Sequence, residues 1–594
     1  MAAVGASATA RCWPLLGATG AAGAVLVGYP GSPPQWRESL DCHVLGFRRG
    51  VRALGCFGRL AFRYKLLAWR GTGAGPGQAE THKRGAALVL ELCRSNGGLF
   101  TKFGQHAATL RPAVPEAYVE ALSVLQDQAP TRPFVDVSRV VAAELGLADG
   151  ADLAGPCSPF LEFATEPLGS ASLAQVHWAK LRNGREVAVK VQHFDIARVA
   201  ASDLAVMRWL DKMASFLFEE FSMAWAVDEF EANVRRELDF REEARNAQRM
   251  RALLRDDAYL ATRLLIPDVL TDLSTGKLLL MDLARGVPIQ QIVRAVSNKL
   301  GAEECGALGL SAEEEWAASC APAVARCLVE TYAAMFFRHG FVHSDPHPGN
   351  FLVVLPGTRN GSSVGDGVPP DGQAAQTPVL VLLDHGFYRT LPEDFRLANC
   401  GLWKAMALQD ARGIVDACLA MGIDQKEASW LPIYFTNRLP ETKAALGQPL
   451  VADEARLLKA RLQEAGLASK AGAELFGILE ACAMRLPADM LFVMRTMHLV
   501  ASLHRSLGSS PACRFRSYLW GAAAGEWEGP RAGPSCWRKI LQRLACSWLF
   551  LRLWVHERWR YSTVPGRGGL QHFSLAASLA ARTADADADD GTKK

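Results

Sequence analysis

The stretch GFVHSDPHPGNFLVVL, Gly340 to Leu355, constrains this chain more than any other. It sets His343, Asp345 and Asn350 in the spacing H-x-D-x-x-x-x-N and follows them at once with an apolar run of buried-strand type. A second apolar run, VLVLLDHGFY, leads into Asp384-His385-Gly386. Asn350 and Asp384 supply hard oxygen ligands, the chemistry of a divalent-cation site. Between the two runs, Pro356 to Pro378 holds almost no large apolar residue, so it is expected to be a mobile insertion that cannot bury itself.

Upstream segments extend the pattern. Between Ala174 and His193 two strand-like runs meet at Asn183-Gly184, which suits a type I′ turn, so a β-hairpin is expected. Val187, Val189 and Val191 take one face of its second strand, and Ala188 and Lys190 the other. Lys190, beside a small residue, could reach past a flat adenine toward phosphates; an exposed strand lysine is the plainer reading. Just before the hairpin, Gly169, Ser170, Ala171 and Ser172 would let backbone amides approach an anion, although they lack G-x-G-x-x-G spacing. Asp228 to Leu254, free of Gly and Pro, is expected to form one long helix, with Asp239 and Glu243 sharing a face and Glu237 looking elsewhere. Most such carboxylates are exposed ion-pair members. The order Lys190, Glu243, Asp345, Asn350, Asp384 is nevertheless that of a protein-kinase-like active site. Phosphoryl transfer from ATP needs Mg²⁺ on oxygen ligands, here Asp384 and the Asn350 amide. Asp345 would orient, or take a proton from, the attacking hydroxyl, and His343 would brace the loop.

These motifs resemble the UbiB/aarF-domain family of atypical kinases over roughly residues 80–508. The resemblance rests on TKFGQ (Thr101 to Gln105), the small-residue loop ending in SLAQVH, ELDFREEARN, HSDPHPGN, LRPAVPEAYVEALSVLQDQAP and LPADMLFVMRTMHLVASLHRSLG. Asp-His-Gly in place of Asp-Phe-Gly is similar to the branch linked to mitochondrial lipid homeostasis. By matched position the resemblance implies that Lys102, Gly104 and Gln105 form a K-x-G-Q motif on an added helix covering the peptide groove. It implies that Lys102 meets Glu237 or Asp239 of an E-x-D motif, and that Gln105 bonds within the closed site. It further implies that Glu243 pairs with Lys190, that the cofactors are ATP or ADP with Mg²⁺, and that partners are coenzyme Q-like or other membrane lipids. Protein phosphorylation is not the reaction it implies. Gly169-Ser170 departs from the alanine-rich loop of some members, which bears on nucleotide preference, and the 23-residue insertion lengthens a usually short connection.

The expected fold class is α+β: a bilobal protein-kinase-like fold with an N-terminal helical extension and a mainly helical C-lobe. Its segments are 1–75 for targeting or anchoring, 76–160 for the extension, 161–285 for the N-lobe, 286–510 for the C-lobe, and 511–594 for a basic Trp-rich helix and polar tail. Gly71 to Gln78 reads as a linker. The first 37 residues contain Arg11 and Arg37 but no acidic residue, as in an organelle-targeting leader. Leu15 to Tyr29 would reach about 22 Å as a helix, short of a bilayer core. A targeting segment, a short anchor and a disordered leader remain open. Phe47 to Arg70 reads equally as an interfacial helix or one packed on the main domain. Cys536 to Ser562 carries four tryptophans among five arginines and a lysine, and it suits an anionic interface or a docked helix.

A net charge of +4 supplies no nucleic-acid signature, and 14 scattered cysteines without a Cys-x-x-Cys read as reduced thiols. The leading function is a mitochondrial, inner-membrane-associated ATPase or small-molecule or lipid phosphotransferase supporting coenzyme Q or lipid homeostasis. Its rivals are a pseudokinase scaffold and an antibiotic- or choline-kinase-like phosphotransferase.

Overall fold

The computed structural model describes residues 34–69, 76–108, 114–126, 131–148, 150–218, 224–255, 257, 260–305, 312–354, 377–428, 430–436, 452–464 and 486–527. The expectations for 15–29, nearly all of 356–378, and 536–562 lie outside the described residues. The chain forms two compact units, one from Met1–Arg241 with Leu270–Met281, the other from Glu242–Val269 with Asp282–Lys594. Glu242–Val269, part of the segment expected as the N-lobe, joins the second unit.

The first unit begins with helices α1 (Pro34–Trp69), α2 (Pro76–Asn96), α3 (Gly98–Ala108), α4 (Glu116–Ser123) and α5 (Phe134–Glu144). The linker expected over 71–78 is thus helical from Pro76, a residue whose fixed φ and missing N–H suit a first helical turn. Strands β1 (Phe160–Ser170), β2 (Ala174–Leu181) and β3 (Glu186–Gln192) follow, then α6 (Ile196–Leu217) and α7 (Ala224–Glu237). With β4 (Leu278–Asp282) they make a four-stranded sheet in the order β1-β2-β3-β4. Val187, Val189 and Val191 face a core shared with Phe160, Leu278 and Leu280 and with Val137, Val140 and Val141 of α5, as the alternation requires.

The hairpin forms, with a different turn. Gly184 alone takes a positive φ (86°), whereas a type I′ turn needs two such residues. Gly184 N–H donates to Leu181 O, Leu181 N–H to Arg185 O, and the Asn183 side chain accepts from Arg185 N–H. The connection is a three-residue loop whose last residue is the left-handed glycine. The long acidic helix is also interrupted. α7 stops at Glu237, and α8 (Phe240–Arg255) starts after Leu238-Asp239. Asp239 is an N-cap, its Oδ1 accepting from Arg241 N–H at 3.1 Å, so it does not share a helical face with Glu243.

The second unit is mainly helical. α9 (Ile289–Cys305) and α10 (Ala312–Ala333) lead through a π-helical turn, Ala334–His339, to β5 (Phe341–His343), β6 (Phe351–Val354), β7 (Val379–Leu382) and β8 (Tyr388–Thr390). β6 and β7 pair antiparallel within a four-stranded sheet completed by Leu264–Leu265 and Val287–Pro288, and β5 pairs with β8. Helices α11 (Glu393–Leu408), α12 (Ala411–Ala420), α13 (Gln425–Ala428), α14 (Leu431–Thr436), α15 (Ala452–Glu464), α16 (Ala488–Ser506) and α17 (Pro511–Trp527) complete it. Glu315–His339 is long and apolar enough to cross a membrane, but it is mostly buried inside the unit as its core helix. The architecture is α+β.

Candidate active site

Within the first unit, Lys190 projects from β3 on the face opposite the valines, and its Nζ lies 5.3 Å from the centre of the Phe240 ring. The small-residue segment is more regular than expected. Gly169 and Ser170 belong to β1, paired with Val176 and Gln175, which leaves Ala171 to Leu173 as the turn. Ala171 N–H is already committed to Ala174 O at 2.8 Å. The anion cradle is therefore narrower than four consecutive amides.

Sequence reasoning missed what holds this turn. His193 donates its backbone N–H to Leu173 O and its Nε2–H to Ala171 O at 3.1 Å. On the strand beside it, Ala164 O can only accept, so His177 donates from Nδ1 and its Nε2 accepts from the Gln175 amide at 2.9 Å. Gln175 Oε1 in turn accepts from Arg132 N–H at 2.9 Å. Burial pushes both histidines below the usual imidazole range, so both are neutral, as these bonds need.

In the same unit Lys102 Nζ meets Glu237 Oε1 at 3.0 Å. Of the two acidic partners considered for Lys102, Glu237 makes the ion pair, while Asp239 caps α8. Gln105 donates to Leu125 O at 2.7 Å, a bond within the helical extension. At Gly104 a Cβ would sit 2.6 Å from Leu125 Cδ1 and 2.9 Å from Cys93 Sγ. The glycine lets α3 close on its neighbours.

The second unit gathers Glu243, Asp345, Asn350 and Asp384. Asn350 turns its amide nitrogen to Asp345, at 3.0 Å from the carbonyl and 3.3 Å from Oδ2, which leaves Oδ1 for a cation. Asp384 Oδ1 accepts from Gly386 N–H at 2.8 Å, and Asp384 O accepts from His343 Nε2–H at 2.9 Å. That bond settles the tautomer, so His343 Nδ1 accepts from Tyr332 O–H at 3.0 Å. Burial drives Tyr332 well above its ordinary value and His343 below its own, keeping donor and acceptor in these roles. His343 is thus a brace, as its position suggested.

His385, where a phenylalanine is commoner, is buried and fully engaged. Nε2 donates to Leu382 O at 3.2 Å, Nδ1 pairs with Tyr388 OH at 2.9 Å, and the two rings lie parallel. Its backbone N–H faces Glu243 Oε1 at 3.5 Å, and its carbonyl accepts from Asn246. Glu243 therefore holds the Asp384-His385-Gly386 turn from α8. Tyr332 lay in an apolar helical context with nothing to single it out, whereas Tyr388 and Asn246 ended quoted motifs without a role assigned to them. Among the described residues no three or more His, Cys, Asp or Glu side chains form a metal-binding group. A site completed by nucleotide phosphates uses only one or two carboxylates, and the oxygen donors Asp384 and Asn350 fit Mg²⁺ on that basis.

Residues 124–418 match the ABC1 atypical kinase-like domain. AarF domain-containing protein kinase 1 of Xenopus tropicalis is 33% identical over 432 residues, spanning 73% of this chain and 72% of that protein. The chain belongs to the ABC1/AarF family of atypical kinases. The mouse protein of the same name is 33% identical over 433 residues, with 73% and 72% covered. Probable serine/threonine-protein kinase abkD of Dictyostelium discoideum is 31% identical over 487 residues, covering 80% of this chain and 61% of that one. Within this ABC1/AarF chain the matched domain contains Lys190, Glu237, Asp239, Glu243, Asp345, Asn350 and Asp384, whereas Lys102 and Gln105 precede it.

Proposed function

We propose that this protein is a Mg²⁺-dependent user of ATP, an ATPase or a small-molecule or lipid phosphotransferase, that works at a mitochondrial membrane, the inner one, in coenzyme Q or lipid homeostasis. The observation that carries the chemical part is the Asp345–Asn350 and Asp384–His343–Tyr332 network. It holds one carboxylate beside an amide and another on a braced turn, the pair that phosphoryl transfer requires. Bound Mg²⁺ and nucleotide would supply the charge neutralisation and the transferable phosphoryl group. Asn350 orients Asp345, which accepts the proton of the attacking hydroxyl or water, and Glu243 and His343 hold the Asp384 turn. Lys190 contributes phosphate contact. The Lys102–Glu237 ion pair ties the K-x-G-Q helix to α7 within the first unit.

His385 weighs against a scaffold without chemistry, because it fills its position as a hydrogen-bonded structural residue and leaves Asp384 in place. The membrane reading is supported by the acid-free, arginine-bearing leader composition. The test is nucleotide turnover by the purified chain, with and without anionic liposomes and quinone-like phenols, using Asp384→Asn as control. A lipid- or phenol-stimulated rate absent from the control is expected; equal rates in both proteins would remove the enzymatic reading.

A further inference from the structure

From Val44 onward, α1 is buried along one side. Arg49 forms an enclosed ion pair with Asp203 of α6, with Nε 2.9 Å from Oδ1. Ala53 packs with Ile196, Ala200 and Leu204, and Cys56 is buried against α2. These contacts decide that the helix packs on its unit. Among the described residues nothing covers the opposite side. Val44, Phe47, Val51, Leu54, Phe62 and Trp69 recur there at helical spacing, and all are exposed, Phe62 by 69% and Trp69 by 85%. Gly55 and Gly58 lie on the same side, with nothing within 4 Å of a Cβ at either. Arg48, Arg52 and Arg59 are exposed along one flank. From Cys42 to Trp69 there is no acidic residue.

We propose that this outer face of α1 is a docking surface for an anionic lipid bilayer. Large aromatic side chains standing in water on a solvent-facing helix are unfavourable unless something apolar covers them. The cover must also accept a row of guanidinium groups with no carboxylate among them on α1 itself. An interface of acyl chains beneath anionic headgroups does both: apolar residues enter the acyl boundary, and arginines reach up to phosphate. The length agrees. At about 1.5 Å per residue, the stretch from Val44 to Trp69 is roughly 39 Å of continuous contact, long for a protein groove and unremarkable on a flat membrane. This proposal deepens the membrane part of the proposed function and rests on it for its biological setting, while being independent of the nucleotide site.

The experiment is flotation of the full chain, without nucleotide, with vesicles of phosphatidylcholine alone or with a quarter of phosphatidylglycerol. Three proteins are compared: the unaltered chain, a Phe47→Glu/Phe62→Glu/Trp69→Glu variant and an Arg48→Gln/Arg59→Gln variant. The unaltered chain is expected to partition at least tenfold better onto the anionic vesicles, with the advantage falling as salt rises. The glutamate variant is expected to lose at least tenfold on them, and the glutamine variant to lose the preference for anionic lipid. Equal partitioning by the unaltered and glutamate-substituted chains would overturn the proposal, since contact would then run through other segments. So would a lipid-free dimer that the glutamate variant dissolves, which would assign the face to a second copy. Unchanged circular dichroism in the variants excludes misfolding as the cause. An unaltered chain that floats yet never binds nucleotide would strike the kinase chemistry and leave this surface standing.

Discussion

A single hydroxyl decides how His343 serves the Asp384 turn. Tyr332 O–H is the donor that pins Nδ1, so that Nε2–H must point at Asp384 O. Tyr332→Phe leaves a fully buried imidazole nitrogen without a partner. The expected cost is about 1–3 kcal/mol in unfolding free energy, read by denaturant titration, with turnover falling more than nucleotide affinity. The groups facing the chemistry should behave otherwise. On the proposed function, Asp384→Asn would remove a metal-binding charge, and Lys190→Ala a phosphate contact. Each is expected to lower Mg²⁺-dependent nucleotide affinity by tenfold or more in calorimetry, with the unfolding midpoint little changed. Asp345→Asn should spare binding and depress turnover, since its partner is the nucleophile. Intact affinity in the first two variants would refute the assignment.

Elements in this protein are bounded by individual side chains. Asp239 breaks what composition presents as one helix, because a carboxylate that caps Arg241 N–H gains more there than in a helix interior. Asp239→Ala is expected to destabilise by about 1 kcal/mol, and Asp239→Asn by much less, as capping requires. Close helix packing sets another boundary. At Gly525 of α17 a Cβ would collide with Phe337 O in the π-helical turn that precedes β5. Gly525→Ala must push α17 away and is expected to cost about 1–3 kcal/mol, whereas Gly58→Ala, in open space on α1, should be neutral or slightly stabilising. Thermal melts of the two variants side by side check the contrast.

Across the whole molecule, acidity should act through buried neutral imidazoles. His177 and His193 in the first unit and His343 and His504 in the second are all held below the ordinary 6.5 by burial, His504 at about 4. In the unfolded chain these groups take protons near pH 6.5, while the folded chain resists. The unfolded state therefore binds more protons as pH falls, and stability present above about 6.5 is lost on the way down to about 4. The unfolding temperature is expected to hold level above pH 7 and fall progressively through pH 6 and 5. His504→Phe, which removes a buried Nε2 that has no hydrogen-bond partner among the described residues, should flatten that slope. An acid slope unaltered in His504→Phe would show that other groups govern it.

What the sequence carried by itself was the family and the order of the residues proposed for the site. Lys190, Glu243, Asp345, Asn350 and Asp384 stand out because the proposed phosphoryl transfer would demand such residue types at such spacings, and the valine alternation of β3 is legible because a strand repeats every two residues. Local rules stop at the point where one donor or acceptor has several possible partners. Whether Asp239 continues a helix or caps one, whether Lys102 takes Glu237 or Asp239, and whether Gln105 serves the site or Leu125 O turned on which group lay within about 3 Å after the chain had closed. The same holds for Tyr332, His193 and Asn246, which reach their partners across many residues of intervening chain. For α1, residue pattern alone balanced a packed helix against an interfacial one. Tertiary burial of Arg49, Ala53 and Cys56 resolved that balance by assigning one side to the protein and leaving Phe62 and Trp69 on the other, since only packing determines which side of an amphipathic helix meets solvent.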